Sequence, residues 1–387
     1  MNLRILLVVN SEWYFWSHRL SLAKALRDAG CDVVVVAAVE RGYDESIVAE
    51  GLRFIPLRLQ RRSMAPHWEL ASIWELFHLY QRERPDLVHH VTIKPVLYGS
   101  IAAKAARIPL VINAIPGLGY MFLGSGWHGR LRQQMALAAY RVALSGQQTR
   151  VIFQNPDDRA LFVSRSVVPI NRTVLIRGSG VDVSQFVPSP EQAGLPIVLL
   201  ASRLLWDKGV GELVEASRHL KKDGIACRVV LVGVPDPGNP KAIPVSLLEH
   251  WQAEGVVEWW GLRNDMPEVL KASSIVVLPS YREGIPKILL EAAAAGRPIV
   301  TTDTPGCREV VCHGENGLLV PPYDSKALAQ ALQRLLQDPV LRAQMGMRSR
   351  TIATSEFSKA QIIKETLSVY SELLRERWPQ SSQITRE

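Results

Sequence analysis

The 387-residue chain has only four cysteines, Cys31, Cys227, Cys307 and Cys312. They fit neither a disulfide framework nor a zinc-ligand spacing, and a reducing cytoplasm is the simplest home for them. No Asp-x-Asp pair occurs anywhere, so one common arrangement of paired hard oxygen ligands for a divalent metal is missing. There is no P-loop lysine pattern, and no Gly-x-Gly-x-x-Gly opens the first helix, which counts against ATPases and ordinary dehydrogenases. No run reads as a transmembrane helix. The longest uncharged stretch, between Arg107 and Arg130, holds Pro109, Pro116, Gly117, Gly119, Gly124 and Gly126. The apolar run Leu3–Val9 is short, and Asn10-Ser11-Glu12 follows without a small-residue cleavage site. It reads as a first β-strand rather than a signal peptide.

Acidic residues are thin in one half. Residues 1–190 carry 22 Lys+Arg against 14 Asp+Glu, net +8, whereas residues 191–387 carry 23 of each. The excess suits an anionic partner (a phospholipid surface, a phosphorylated acceptor or nucleic acid) or a merely soluble basic surface. No recognition-helix, zinc-finger or RNA-binding sheet pattern supports nucleic acid, and no such partner is expected.

What is present is alternation. With 47% hydrophobic and 21% charged residues the chain is an ordinary globular protein, and its length calls for two cores. Strand-like runs fall at Arg4–Val9, Val33–Ala38, Arg53–Leu57, Leu87–His90, Leu110–Asn113, Val151–Gln154 and Val174–Arg177. Amphipathic stretches lie between them at Ser17–Ala29, Trp68–Arg82, Pro95–Ala106, Arg130–Ser145 and Asp157–Ser164. Repeated strand–helix order predicts an α/β, doubly wound parallel sheet. From Val187 to Pro196 the pattern lapses into a proline-containing connector, then restarts. Strands are expected at Ile197–Ala201, Cys227–Val232, Val256–Trp259, Ile275–Leu278 and Pro298–Thr301. Helices are expected at Val210–Lys222, Pro244–Ala253, Met266–Ala272, Pro286–Ala295 and Ser325–Leu336. The expected domains are therefore 1–187 and 188–357, with a terminal helix, 358–378, returning toward the first domain and a polar tail beyond it. Two such domains would form a cleft between the carboxyl ends of two sheets, suited to bringing two ligands together.

The stretch Tyr281–Glu291 organises the second half. The buried-type run Ile275–Leu278 precedes it and an Ala-rich helix follows, closed by Gly296-Arg297-Pro298. Glu283 then sits in a strand-to-helix loop and Glu291 two turns into the helix. The amides of Gly284 to Lys287 would face an anionic or hydroxyl-rich ligand, with Pro286 suited to the first turn. Both glutamates are also readable as ordinary solvated residues. Arg203 and Lys208, where the first strand of the second half gives way to a helix, make a candidate diphosphate cradle.

Taken together, Glu283-x7-Glu291, Arg203…Lys208-Gly209 and Val277-Leu278-Pro279-Ser280…Glu283-Gly284 carry a resemblance that runs from end to end of the chain. They resemble the retaining glycosyltransferases of family 4, whose GT-B fold has two doubly wound Rossmann-like domains facing across a cleft. The segments Asn113-Ala114-Ile115-Pro116-Gly117-Leu118-Gly119-Tyr120 and Thr92-Ile93-Lys94-Pro95 look like a narrower branch. That branch acts on polyprenyl-diphosphate-linked sugars in O-antigen, capsule and protein-glycan assembly. The resemblance implies a hexosyltransferase that moves a hexose derivative, foremost an N-acetylhexosamine, from UDP to an undecaprenyl-diphosphate-linked sugar. The N-terminal domain would take the acceptor and the C-terminal domain the nucleotide-sugar. The enzyme would be cytoplasmic and peripheral at the inner face of the cell membrane.

The resemblance also implies roles. Arg203 and Lys208 would hold the leaving diphosphate in place of a metal, so no metal and no cofactor beyond the UDP-sugar donor is expected. Glu291 would accept hydrogen bonds from the ribose hydroxyls, and Glu283 would lie near the donor sugar. Gly284, Ile285 and Pro286 would line the donor phosphate and sugar, and Arg263, in Leu262-Arg263-Asn264, would flank the base. In retaining members the acceptor hydroxyl is thought to attack on the leaving-group face, a donor phosphate oxygen taking the proton.

Two segments depart from the family. A Gly-Gly loop common after the first strand is replaced by Asn10–His18, and a donor-contacting His is replaced by Ile115-Pro116-Gly117. His18, His89 and His90 are the available substitutes, each also readable as structural. Trp13, Tyr14, Phe15 and Trp16, with Arg61, Arg62 and Met64, predict an apolar, basic rim that meets the membrane and the acceptor's diphosphate–lipid end. Core packing is the competing account of those aromatics. His18, Lys94 and Gly117 complete the expected acceptor set, and the basic stretch Arg130–Arg150 could extend the rim. Other readings stay open: a soluble family 4 transferase with a small-molecule acceptor, a UDP-N-acetylhexosamine epimerase of similar fold, and a basic nucleic-acid-binding protein.

Overall fold

The computed structural model describes residues 3–59, 65–118, 122, 126–146, 148–236 and 238–378. The chain divides into two compact units, Met1–Ser179 with Ile362–Glu387, and Gly180–Gln361.

The first unit opens with β1 (Arg4–Val8), α1 (Glu12–His18), α2 (Leu20–Asp28), β2 (Asp32–Ala37), α3 (Asp44–Ala49) and β3 (Arg53–Pro56). It continues through α4 (Pro66–Glu83), β4 (Leu87–Val91), a π-helical turn at Pro95–Gly99, α5 (Ser100–Ala105) and β5 (Leu110–Ile115). Then come α6 (Gly126–Ala143), β6 (Thr149–Phe153), α7 (Pro156–Ser164) and β7 (Thr173–Leu175). Among the described residues these strands form one seven-stranded sheet, in the order β3-β2-β1-β4-β5-β6-β7. Every pairing is parallel, so both faces must be covered, and the central strands β1, β2 and β5 are correspondingly apolar for most of their length. Alternation along β1 shows how the faces are shared. Ile5, Leu7 and Val9 point to a core with Phe15 of α1 and Leu22 and Leu26 of α2, while Leu6 and Val8 meet Leu76 and Tyr80 of α4.

The second unit runs β8 (Ile197–Ala201), α8 (Val210–Lys222), β9 (Arg228–Val232), α9 (Val245–Ala253), β10 (Glu258–Trp259), α10 (Met266–Ala272) and β11 (Ile275–Leu278). After α11 (Lys287–Ala294) come β12 (Ile299–Thr302), β13 (Gly317–Val320), α12 (Ser325–Gln337) and α13 (Pro339–Glu356). The sheet is β10-β9-β8-β11-β12-β13, again parallel. In each unit the strand order reverses direction once: between β1 and β4, and between β8 and β11. Open α/β sheets bind ligands at such switch points, beyond the strands' carboxyl ends.

Helix α14 (Lys359–Arg377) starts in the second unit and ends in the first. Its Ile362, Val369, Tyr370, Leu373 and Leu374 are buried in the β1-face core of the first unit. Each large apolar side chain so placed contributes about 1.5–3 kcal/mol.

Several expectations need correction. The division falls at Ser179/Gly180 rather than 187/188, because Val181 is tied into the second unit. Its N–H donates to Phe357 O at 2.8 Å and its carbonyl accepts from Lys359 N at 2.9 Å. The proline-containing stretch is not a free connector either: Glu191 pairs with Arg342 at 2.9 Å and Arg297 donates to Ser189 Oγ at 2.8 Å. The stretch read as Ser17–Ala29 is two helices parted at Arg19, and α1, α3 and α13 were not expected. Pro286 caps α11 from outside instead of lying in its first turn. Arg61, Arg62 and Met64, Gly119 and Tyr120, and the tail Pro379–Glu387 lie outside the described residues.

Candidate active site

Three loops meet at the switch point of the second unit. The first leaves β8 as Ser202–Leu205, tightens into a 3-10 turn over Trp206–Lys208, and enters α8 through Gly209. Gly209 has φ +72°, and a Cβ there would stand 2.1 Å from Pro279 O, so the loop after β11 runs directly against it. That second loop, Pro279–Pro286, carries Glu283. It is fastened to the first by Ser280 Oγ and Tyr281 N–H, which donate to Asp207 O at 3.1 and 3.0 Å. The third loop follows β12. Thr301 and Thr302 hydroxyls donate to the carbonyls of Leu278 and Ser280, and Glu283 N–H donates to Pro305 O at 3.1 Å. The Glu283 loop is therefore held from both neighbours before any ligand arrives.

Arg203, Lys208 and Lys287 are already paired. Lys208 Nζ bonds the Glu283 carboxylate, with both side chains largely out of water, at 16% and 13% exposure. Arg203 donates through Nη1 to Asp236 Oδ2 at 2.9 Å; Asp236 lies beyond β9, the strand beside β8. Lys287 pairs with Glu291, one turn further along α11, at 3.2 Å. Burial pushes the Glu291 carboxyl above its ordinary range, and Lys287 opposes that shift. The result is a compact field of cations whose partners a diphosphate or a sugar could exchange for its own oxygens.

Around this field, Tyr281 donates its hydroxyl to Glu212 at 2.6 Å and its ring lies tilted against Tyr323 at 4.0 Å between centroids. Beyond β10, Arg263 is forked onto Asp265 and lies over Trp260 at 6.0 Å. The structure thus gathers Arg203, Lys208, Glu283, Gly284, Ile285 and Pro286 on adjoining loops, with Glu291 in the helix that follows and Arg263 on the loop of the sheet's edge strand.

In the first unit the picture is more closed. Phe15 is fully buried in the core, and Tyr14 and Trp16 pack against it. The four aromatics are therefore not an exposed rim. Trp13 donates Nε1 to Glu40 at 3.0 Å and lies under Arg41 at 4.8 Å. His18 stacks on Tyr14 at 4.3 Å, and Lys94 pairs with Glu69 at 2.8 Å. Gly117 lies two residues past the end of β5. His89 and His90 are wholly buried on opposite faces of β4. The first bonds the Tyr370 hydroxyl. The second bonds Asn113 Oδ1 at 2.9 Å through Nδ1 and the Tyr80 hydroxyl at 2.8 Å through Nε2. Burial drives His90 down to about 4, so neither ring reads as a proton carrier open to substrate. At the carboxyl end of β4, Thr92 holds φ +77°, an uncommon and strained value for a β-branched residue.

The family description Glycosyl transferases group 1 matches residues 184–352, and Glycosyl transferase 4-like matches residues 4–155. The chain belongs to the group 1 glycosyl transferases. One relative of this transferase is the N,N'-diacetylbacillosaminyl-diphospho-undecaprenol alpha-1,3-N-acetylgalactosaminyltransferase of Campylobacter jejuni, 28% identical over 92% of this chain and 95% of that one. Another is the UDP-Gal:alpha-D-GlcNAc-diphosphoundecaprenol alpha-1,3-galactosyltransferase of Escherichia coli, 24% identical over 83% and 84%. In structure the transferase is similar to sucrose-phosphate synthase from Thermosynechococcus elongatus, with TM-score 0.79 and 22% identity, covering 97% of this chain and 100% of the other. That likeness shows the GT-B fold of two Rossmann-like units.

Sequence reasoning missed Asp236, which holds Arg203, and the Tyr281–Glu212 bond beneath the Glu283 loop. Asp236 lay four residues past an expected strand end, the position where ligand-facing residues gather in such sheets. The Tyr281–Glu212 contact joins residues 69 apart and leaves no local signal.

Proposed function

We propose that this transferase is a retaining, metal-independent hexosyltransferase. It moves a hexose derivative, foremost an N-acetylhexosamine, from UDP to a sugar carried on undecaprenyl diphosphate, at the inner membrane face, in surface-polysaccharide or glycan assembly. The observation that carries this reading is the meeting of Arg203, Lys208 and Glu283 at one switch point, each cation on an exchangeable carboxylate. The relatives from C. jejuni and E. coli, whose names place diphospho-undecaprenol or diphosphoundecaprenol in the acceptor, support the lipid-linked substrate.

In this mechanism the donor diphosphate takes Arg203 from Asp236 and Lys208 from Glu283. The two cations, Lys208 largely out of water and Arg203 exposed at its loop, are fixed before the donor arrives and stabilise the charge that develops on the leaving phosphate, with little reorganisation. Glu283, released, turns to a hydroxyl of the donor sugar. The amides of Gly284 and Ile285 line the phosphate and sugar, Glu291 accepts from the ribose, and Arg263 flanks the base. The acceptor hydroxyl attacks the anomeric carbon on the face that UDP leaves. The carbon–oxygen bond to phosphate breaks as the new glycosidic bond forms, and the hydroxyl proton passes to the departing phosphate oxygen. No protein nucleophile takes part.

The test is transfer in the presence of EDTA, with a panel of UDP-sugars and an undecaprenyl-diphosphate-linked N-acetylhexosamine, read by mass spectrometry. A one-sugar mass gain from one donor is expected, reduced on the order of 100-fold or more in Lys208→Ala and Glu283→Gln. Conversion of the donor to an isomer without acceptor would instead mark an epimerase. Transfer confined to lipid-free acceptors would remove the membrane-linked substrate.

A further inference from the structure

Helices α4, α5 and α6 cover one face of the first unit's sheet. Val111 and Ile115 lie on the same side of β5, one in the core under α4 and α5, the other in the core under α6. The outward sides of these helices are unusually apolar. On α6, Trp127, Leu131, Met135 and Val142 are 67%, 48%, 67% and 63% exposed. At 100° per residue they share an arc of about 80°, opposite the buried Ala136, Leu137 and Tyr140. Arg130 lies on one flank of that stripe and Arg132 on the other, both exposed. On α4, Leu70 and Trp74 are 67% and 64% exposed, and with Ala102 and Ala105 they line an apolar groove of about 540 Å³ between α4 and α5.

Around α5 and α6 the charge has one sign. From Leu87 to Pro156 there is no Asp or Glu, against seven Lys and Arg. The glutamates of α4 are taken up locally: Glu69 by Lys94, Glu75 by the N–H of Arg58, and Glu83 by Arg53. A second copy packed symmetrically on this face would bring together two sets of α6 arginines with no acidic residue of α5 or α6 to pair them, and like charges oppose that contact. Exposed tryptophans, an aliphatic stripe and flanking arginines are what a helix lying in a headgroup layer presents.

We propose that the outer face of α4, α5 and α6 seats the first unit on an anionic lipid bilayer, with the α6 stripe in the headgroup layer. This deepens the function proposed above and rests on its lipid-linked acceptor for its purpose, while binding itself needs neither donor nor acceptor. The surface differs from the expected Trp13–Trp16 rim, whose side chains are packed or paired.

The test is co-sedimentation of the full chain with phosphatidylcholine vesicles containing or lacking phosphatidylglycerol, at low and high salt. Wild type should bind the anionic vesicles, and salt should weaken the binding. Leu131→Asn with Met135→Asn should weaken binding on the order of tenfold or more. Arg130→Gln and Arg132→Gln should cost about fivefold each, only on anionic vesicles. Met347→Asn, on an equally exposed side chain of α13, should bind as wild type. All these side chains are exposed, and unchanged melting curves would show that the variants fold. Wild type left in the supernatant, or stripe variants that bind normally, would overturn the proposal. So would a concentration-dependent dimer that the stripe substitutions abolish, which would give the face to a second copy. Transfer to a water-soluble acceptor analogue should stay within about twofold in these variants. If that transfer were absent in wild type while vesicle binding persisted, the proposed function would fall and this surface would stand.

Discussion

Lys208 and Glu283 depend on each other as much as on any ligand. Each is largely out of water, so removing one leaves the other as a partly buried, unpaired charge. Lys208→Ala should cost the second unit roughly 3 kcal/mol of stability, and Lys208→Met with Glu283→Gln should recover most of it. Calorimetry would read the recovery, and transfer should stay lost in both proteins. Equal stability of single and double variants would show that the pair holds nothing together. Glu291 makes a second prediction, with the sign fixed by burial. Its folded pKa is raised, so the folded state keeps the proton that the unfolded state gives up near 4.5. The associated stability is fully present below about 4.5 and is lost as pH rises through the folded pKa. Glu291→Gln cannot make that loss. Melts between pH 4 and 8 should show the variant gaining on wild type as pH increases, and parallel curves would refute the assignment.

The loops show how far local sequence carries. The apolar runs Ile197–Ala201 and Ile275–Leu278 end where expected, so Arg203, Lys208 and Glu283 fall at strand ends as the pattern required. What escaped was tertiary. Trp13 to Trp16 look like a loop because the run has no polar face, yet Phe15 and the β1 core make it a helix. Helix α13 escaped too: its buried Arg342, Ser349 and Gly346 blur the helical stripe. Gly306 gives a prediction at this scale. Its φ is +86°, and a Cβ would meet Gly284 O at 2.1 Å and Glu283 O at 2.6 Å. Gly306→Ala should push the β12 and β11 loops apart and cost on the order of 100-fold in kcat/KM while the protein stays folded by circular dichroism. β4 gives another. His90 titrates at about 4 in the fold against 6.5 ordinarily, so its contribution is present above pH 6.5 and lost as pH falls toward 4. The loss should be on the order of 3 kcal/mol. Urea midpoints at pH 7 and 4.5 should differ less in His90→Gln than in wild type.

At the scale of the whole molecule, the first unit is built from two separated pieces of chain. A protein ending at Gln361 would lack Tyr370, Leu373 and Leu374 from the β1-face core, the hydroxyl that His89 bonds, and the carboxylate of Glu376 that Arg150 holds. It should show the melting transition of the second unit alone and still bind UDP by calorimetry. Two intact transitions would mean that α14 is dispensable. The same discontinuity sets an order of events during synthesis. The strands of the first unit leave the ribosome first, but the helix that closes one side of their core comes after all of Gly180–Gln361. At ordinary elongation rates that interval is roughly 10–40 s. For that time the nascent sheet presents an open apolar face, so the second unit, made later, is the first that can finish folding.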